Sequence, residues 1–245
     1  TSCWPLAPRQ ASLWRPGLWI RANWALPQGR KLRVELEAGG AIGSIENLQR
    51  RPDLEDTGKE ISAFGAALES ELQWGRDDLR FGLDAGFATG DDADHLGYKD
   101  GQNAVVAQDA DYELDDNVRN NATLTSFYFH PGYRRDLILF RQVLGTVTNA
   151  IYARPWASRR LLEMGDVTLS GRVDATWASA SRVASTPGKG RHYGVELDGR
   201  LTLGLPHGFQ VLGAAGVLLP LDALTPGDEV GDPAVAAQAL MTWQF

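Results

Sequence analysis

The stretch Leu79-Arg-Phe-Gly-Leu-Asp-Ala-Gly-Phe-Ala-Thr89 alternates in character from one residue to the next. Leu79, Phe81, Leu83, Ala85 and Phe87 share one parity, and Arg80 and Asp84 share the other. Successive side chains of a strand point to opposite faces, so the stretch reads as a β-strand with one apolar and one charged face. It is longer than the roughly five or six residues usual for strands of soluble sheets.

The same reading extends in both directions. Before it, Phe64, Ala66, Leu68, Leu72 and Trp74 oppose Glu69, Glu71 and Gln73, with only Ser70 breaking the apolar face. Leu32, Val34, Leu36 and Ala38 oppose Arg33, Glu35 and Glu37, and Leu18, Ile20, Ala22, Trp24 and Leu26 oppose Arg21 and Asn23. After it, the segment from about 146 to 158 is the least regular, with Val147, Ile151 and Ala153 against Thr148, Tyr152 and Arg154. Val167, Leu169, Val173, Ala175 and Trp177 then oppose Arg172 and Asp174, and Tyr193, Val195, Leu197, Leu201 and Leu203 oppose Glu196, Asp198 and Arg200. Phe209, Val211, Val217, Leu219 and Leu221 form the next apolar face, and Ala239, Met241, Trp243 and Phe245 the last.

The connections alternate in length. Gln28-Gly29-Arg30, Gly75 to Asp78, Glu163 to Asp166 and His207-Gly208 are short; the stretches at about 45 to 60, 90 to 145, 182 to 191 and 222 to 234 are long and polar. Short turns at one end and long loops at the other mark an outer-membrane barrel, whereas a soluble sandwich has no reason to sort its loops. The expected fold is therefore all-β: a single domain over 1–245, an antiparallel up-and-down transmembrane β-barrel of about nine long strands. An even strand number is the rule for such barrels, so nine strands are expected to be the C-terminal portion of a larger one. Residues 91–145 form a long outer loop, within which 122 to 130 reads as either a loop excursion or a further strand.

Composition narrows the alternatives. A net charge of -7 argues against nucleic-acid binding, which needs a basic face to displace counterions. Cys3 stands alone, which excludes an internal disulfide or a cysteine zinc site, and no run approaches the roughly 20 apolar residues of a spanning helix. The start, Thr-Ser-Cys-Trp, lacks the charged and apolar regions of a signal peptide. No HExxH, GxSxG or Walker pattern is present, and no nucleophile is specified near His95, His130, His192 or His207, so no enzyme is expected. The acidic stretch from Asp91 to Asn121 lacks the EF-hand spacing and reads as a solvated loop. No cofactor or metal is called for.

One part of the long loop differs from the rest. Phe127 to Pro155 is aromatic, apolar and cationic, with Leu137, Phe140, Arg141 and Leu144 at helical spacing. So much apolar surface favours burial, so the part from Phe127 to Leu144 is expected to fold into the barrel mouth as a constriction. There Arg134, Arg135 and Arg141, with Asp136 beside them, would meet the carboxylates of the wall. The lumen candidates are the charges of the polar face: Arg33, Glu35, Glu69, Glu71, Arg80, Asp84, Arg172, Asp174, Glu196, Asp198 and Arg200. The opposite face should carry Trp24, Phe64, Trp74, Phe87, Trp177, Tyr193, Trp243 and Phe245, several of them at the interfacial girdles.

The run Phe129-His-Pro-Gly-Tyr-Arg-Arg-Asp-Leu-Ile-Leu-Phe-Arg141, followed by Gly145-Thr-Val-Thr-Asn-Ala-Ile-Tyr-Ala-Arg-Pro155, resembles a family of uncharacterised outer-membrane barrel proteins of Gram-negative bacteria. Phe64-Gly-Ala-Ala-Leu-Glu-Ser70, Leu83 to Asp91 and the ending Thr-Trp-Gln-Phe245 are similar to the same family, and more distantly to alginate-export porins. Gly132 stands where that family has Asp. The resemblance implies location and architecture and names no substrate.

Together these readings predict a porin-like channel or exporter component for polar or charged solutes. The competing expectation is a non-conducting barrel that anchors an envelope-spanning or surface complex. Its partners would be outer-membrane lipid, the solute, and the barrel-assembly machinery, which would recognise Phe245.

Overall fold

The computed structural model describes residues 10–46, 59–75, 78–91, 123–133, 136–225 and 231–243. Its strands are β1 (Ala11–Trp14), β2 (Gly17–Ala25), β3 (Lys31–Ile45), β4 (Lys59–Trp74), β5 (Leu79–Ala88), β6 (Thr123–Leu124), β7 (Ala150–Met164), β8 (Val167–Ala180), β9 (His192–Leu205), β10 (Phe209–Pro220) and β11 (Ala234–Trp243). They form one up-and-down sheet, in the order β3-β4-β5-β7-β8-β9-β10-β11, with every neighbour antiparallel.

β1 and β2 lie end to end on the free edge of β3, pairing Trp14 with Ile42 and Gly17 with Gly39. The break between them falls at Arg15-Pro16, where proline has no N–H to give a ladder. Taken as one, they make the ninth long strand of the wall, in agreement with the alternation. β6 adds only two residues, parallel to β4 at Glu60 and Ile61, and Tyr128 bridges Thr148. Of the stretch 122 to 130, the described residues 123–130 are thus a strap over the sheet and not a wall strand.

The connections sort by end as the sequence requires. β2–β3, β4–β5, β7–β8 and β9–β10 are tight, while β3–β4, β5–β7, β8–β9 and β10–β11 are long. Two of the tight turns put consecutive residues at positive φ, Gln28 (63°) with Gly29 (72°) and His207 (61°) with Gly208 (74°). That left-handed pair matches the twist of the flanking strands, and glycine adopts its half without strain.

Register lines up the two faces across the sheet. Leu36 sits opposite Leu68, Leu68 opposite Ala85 and Ala175 opposite Leu197, all on the outer side. Leu83, Val173, Leu197, Leu201 and Met241 are exposed there, as are Trp24, Phe64, Trp74, Phe87, Trp177 and Trp243. Ser70, the polar break in this face, donates its hydroxyl to the carbonyl of Leu83 at 3.0 Å, which satisfies it within the wall. Tyr193 departs from expectation: it is fully buried on the inner side, with its hydroxyl donating to the carbonyl of Asn149 at 3.1 Å. The register of β8 and β9 slips between Ala178 and Ser179, and Gly194 takes a φ of 146°, so the alternation inverts at the start of β9. Phe245 lies outside the described residues.

The apolar core lies on the inner, charged side of the sheet. Leu137, Ile138, Leu139 and Phe140 pack there with Ala88, Ala150, Tyr152, Ala178, Tyr193 and Leu218, all at the end of the wall that carries the long connections. Val147, read from sequence as part of a strand, precedes β7 and belongs to this cluster.

Candidate functional site: the inner face and its inward segment

Residues 123–133 and 136–149 lie across the inner face, with contacts from β4 to β11. The first part is laced to the end of β5: Thr89 donates its hydroxyl to the carbonyl of Thr125 at 2.5 Å, and Thr125 donates its own to the carbonyl of Gly90 and its N–H to Asp91. Phe127 then lies over Gly39 and Gly65, positions with no side chain to displace it. Further along β5, the rings of Trp156 and Tyr152 cover Gly82 and Gly86, their direct cross-strand partners. Large inward rings on one strand are thus accommodated by glycine on the next.

The second part is held by carboxylates. Glu196, fully buried on β9, accepts the N–H groups of Leu137 (2.9 Å) and Ile138 (2.8 Å) on Oε1 and that of Leu139 (2.7 Å) on Oε2. Asp136 Oδ2 accepts the N–H of Phe140 at 2.7 Å, whereas its buried Oδ1 has no hydrogen-bond partner. From there the backbone turns through one π-helical stretch, Leu139–Val143, where the N–H of Val143 reaches the carbonyl of Ile138. The helical spacing expected over Leu137 to Leu144 takes this form. The recess between segment and wall, lined by Tyr133, Asp136, Tyr152, Arg154 and Thr176, leaves no room for a water molecule.

Burial in this dry recess, with Glu196 nearby, pushes the carboxyl of Asp136 up to about 6. Asp78, in the short β4–β5 turn, is shifted the other way: the hydrogen bond from Arg80 holds it below the usual carboxylate range.

Beneath the segment lies an ion-pair network. Arg154, 2% exposed, pairs with Asp84 and with Asp174 (3.2 Å), and Trp156 Nε1 donates to Asp84 at 3.3 Å. Arg172 reaches the same Asp174 at 2.6 Å while its guanidinium sits 3.9 Å over the Trp156 ring. Asp198 faces Asp174 across β8–β9, and Arg200 faces Arg172. On the other flank the pairs are more open: Arg33 with Glu35 (3.6 Å) and Glu71 (3.7 Å), Arg80 with Glu71 (3.5 Å), Arg21 with Glu35 (2.8 Å). Glu69 stands in register between Glu35 and Asp84.

All the wall charges named from the alternation therefore share the inner face. Arg134 and Arg135 lie outside the described residues. Arg141 differs from expectation in its partner: it donates to Gln238 of β11 at 2.7 Å, and the carboxylates meant for it are taken by backbone N–H groups. The most deeply placed cation, Arg154, appeared in the alternation only as a polar position of the least regular strand. Its parity with Tyr152 was the available signal. Among the described residues no three His, Cys, Asp or Glu side chains are grouped to hold a metal ion.

No protein-family model and no curated protein matches the chain. One face of the sheet presents apolar side chains and the other paired charges, and one end of the charged face is filled by a folded segment. That arrangement can bind, orient or filter charged solutes.

Proposed function

We propose that this sheet is the wall of an outer-membrane β-barrel that acts as a porin-like channel or exporter component for polar or charged solutes, with Asp136 to Leu144 narrowing the lumen. The observation that carries the reading is the sorting of the two faces. Wide apolar exposure on the outside, with Leu197 at 50% and Met241 at 68%, suits lipid and not water. The buried charges inside suit a polar lumen.

The free edges extend the proposal. β2 and β11 both run toward the short-turn end, and no pair joins them among the described residues. In a bilayer an unpaired edge is costly, so closure with antiparallel neighbours takes an odd number of further strands, as in a larger barrel. Phe245 is proposed as the residue read by the barrel-assembly machinery. The resemblance to Gram-negative barrel families, and to alginate-export porins more distantly, supports the same location.

A second reading is favoured by one observation: segment and wall charges are extensively bonded to one another, as suits a sealed structural barrel that anchors a larger complex. Conductance of the full-length protein in planar bilayers separates the two. Discrete ion-conducting steps are expected, and a folded, inserted but silent barrel would favour the anchor.

A further inference from the structure

Glu196 is an unusual wall residue. Neighbouring charges on the inner face pair with one another, as Asp84 and Asp174 do with Arg154. Glu196 instead spends both oxygens on three consecutive backbone N–H groups of the inward segment. Charge-assisted bonds of this kind are about twice as strong as neutral ones. The apolar contacts of Leu137 to Phe140 fix where the segment lies, but an apolar surface alone sets no unique register, whereas three N–H donors on one carboxylate do.

The groups facing Glu196 from every side are few. Asp198 lies two residues along β9, Thr176 is opposite on β8 with Asp174 next to it, and Leu218 is opposite on β10. The adjoining recess is lined by Tyr152 and Arg154 of β7 and by Tyr133 and Asp136 of the segment. Arg154, the cation among the described residues of that recess, is engaged by Asp84 and Asp174. Among the described residues, Asp136, Glu196 and Asp198 therefore gather as carboxylates with no cation in direct ion-pair contact, and Asp136 Oδ1 and Asp198 Oδ1 are buried without hydrogen-bond partners.

We propose that Asp136 to Leu144 is a gate latched to the wall by Glu196, and that loss of a proton from the surrounding carboxylates releases it. In the latched state Glu196 accepts the three N–H groups and Asp136 is neutral. When Asp136 ionises, a second negative charge faces Glu196 in a dry recess, and moving the segment into water relieves the repulsion. The direction follows from the raised carboxyl of Asp136: the latched state binds its proton more tightly than the released state, so the latch is strongest below about pH 4 and weakens as pH rises through about 6.

This inference rests on the channel reading, and two readouts on the full-length protein keep them apart. Single-channel recording at pH 5 and pH 8 should give wild-type open probability that rises with pH. Glu196→Gln should stay open at both values, because an amide NH2 would face a backbone N–H. Asp136→Asn, which changes the segment and leaves the wall intact, should stay closed at both. Amide hydrogen exchange at Leu137, Ile138 and Leu139, corrected for intrinsic pH dependence, reads the latch without conduction. It should be faster by about tenfold or more in Glu196→Gln, with β7 to β9 unchanged. Exchange at these amides unaffected by Glu196→Gln, or a full pH response retained in Asp136→Asn, overturns the latch. A silent barrel whose exchange still depends on Glu196 and on pH upholds the latch and overturns the channel.

Discussion

The two halves of the inner face obey the same alternation and have different physics. Toward the short-turn end, Arg21, Arg33, Arg80, Glu35 and Glu71 keep 18% to 43% of their side chains exposed and pair loosely. Toward the long-connection end the inward segment excludes water, and Arg154, Asp84 and Asp174 keep 5% or less. Exposed ion pairs are worth little because water screens them. Buried ones are costly to form, and once formed are costly to break, because the remaining partner is left as an uncompensated charge. The cover therefore decides what each charge contributes, and the strand pattern decides only which way it points.

The largest effect that would test this contrast is removal of Arg154. Arg154→Met leaves Asp84 and Asp174 facing each other without their shared cation, and about 3 to 5 kcal/mol of stability should be lost. Urea unfolding of the full-length protein in lipid measures it; a loss as small as that of an exposed pair would mean that the upper half is wetter than its geometry implies.

Next in size is the contrast between faces. Leu197→Arg, on the outer side, should cost about 2 to 4 kcal/mol if that site lies near the bilayer midplane, whereas Arg at the inner position Glu71 should be far milder. Equal costs would contradict the assignment of the outer face to lipid.

The pH dependence comes third. The carboxyl of Asp136 is raised to about 6, whereas an unfolded Asp titrates near 3.9. The folded state thus binds the proton more tightly, and its contribution is complete below about pH 4 and falls as pH rises to about 6, by on the order of 2 kcal/mol. Asp136→Asn should flatten that slope in the unfolding free energy, and a slope that persists would place the titration elsewhere.

The smallest effect belongs to the open half. Arg80→Gln should change stability by less than about 1 kcal/mol and lose even that in high salt, since its partners Glu71 and Asp78 are solvated. A larger cost would show that this half is covered as well.

Several features were legible in the chain itself. The parity of Leu79 to Phe87, and of its counterparts in eight other segments, fixes nine strands, their apolar face and their charged face, because side-chain alternation is a property of extended backbone and needs no partner. Turn chemistry at Gln28-Gly29 and His207-Gly208 is equally local. The inward fold of the segment was legible as a need, since Leu137 to Phe140 could not stay in water. The site within it was not. That Glu196 binds backbone N–H groups and not a guanidinium, that Arg141 goes to Gln238, that Arg154 joins Asp84 to Asp174 and that Tyr193 turns inward all depend on cross-strand register and on the path of a segment far away in sequence. Period two assigns a residue to a face. Which groups meet there, and whether water reaches them, is set by distances between strands and by what lies over them, and those exist only once the strands have paired and the segment has folded over them.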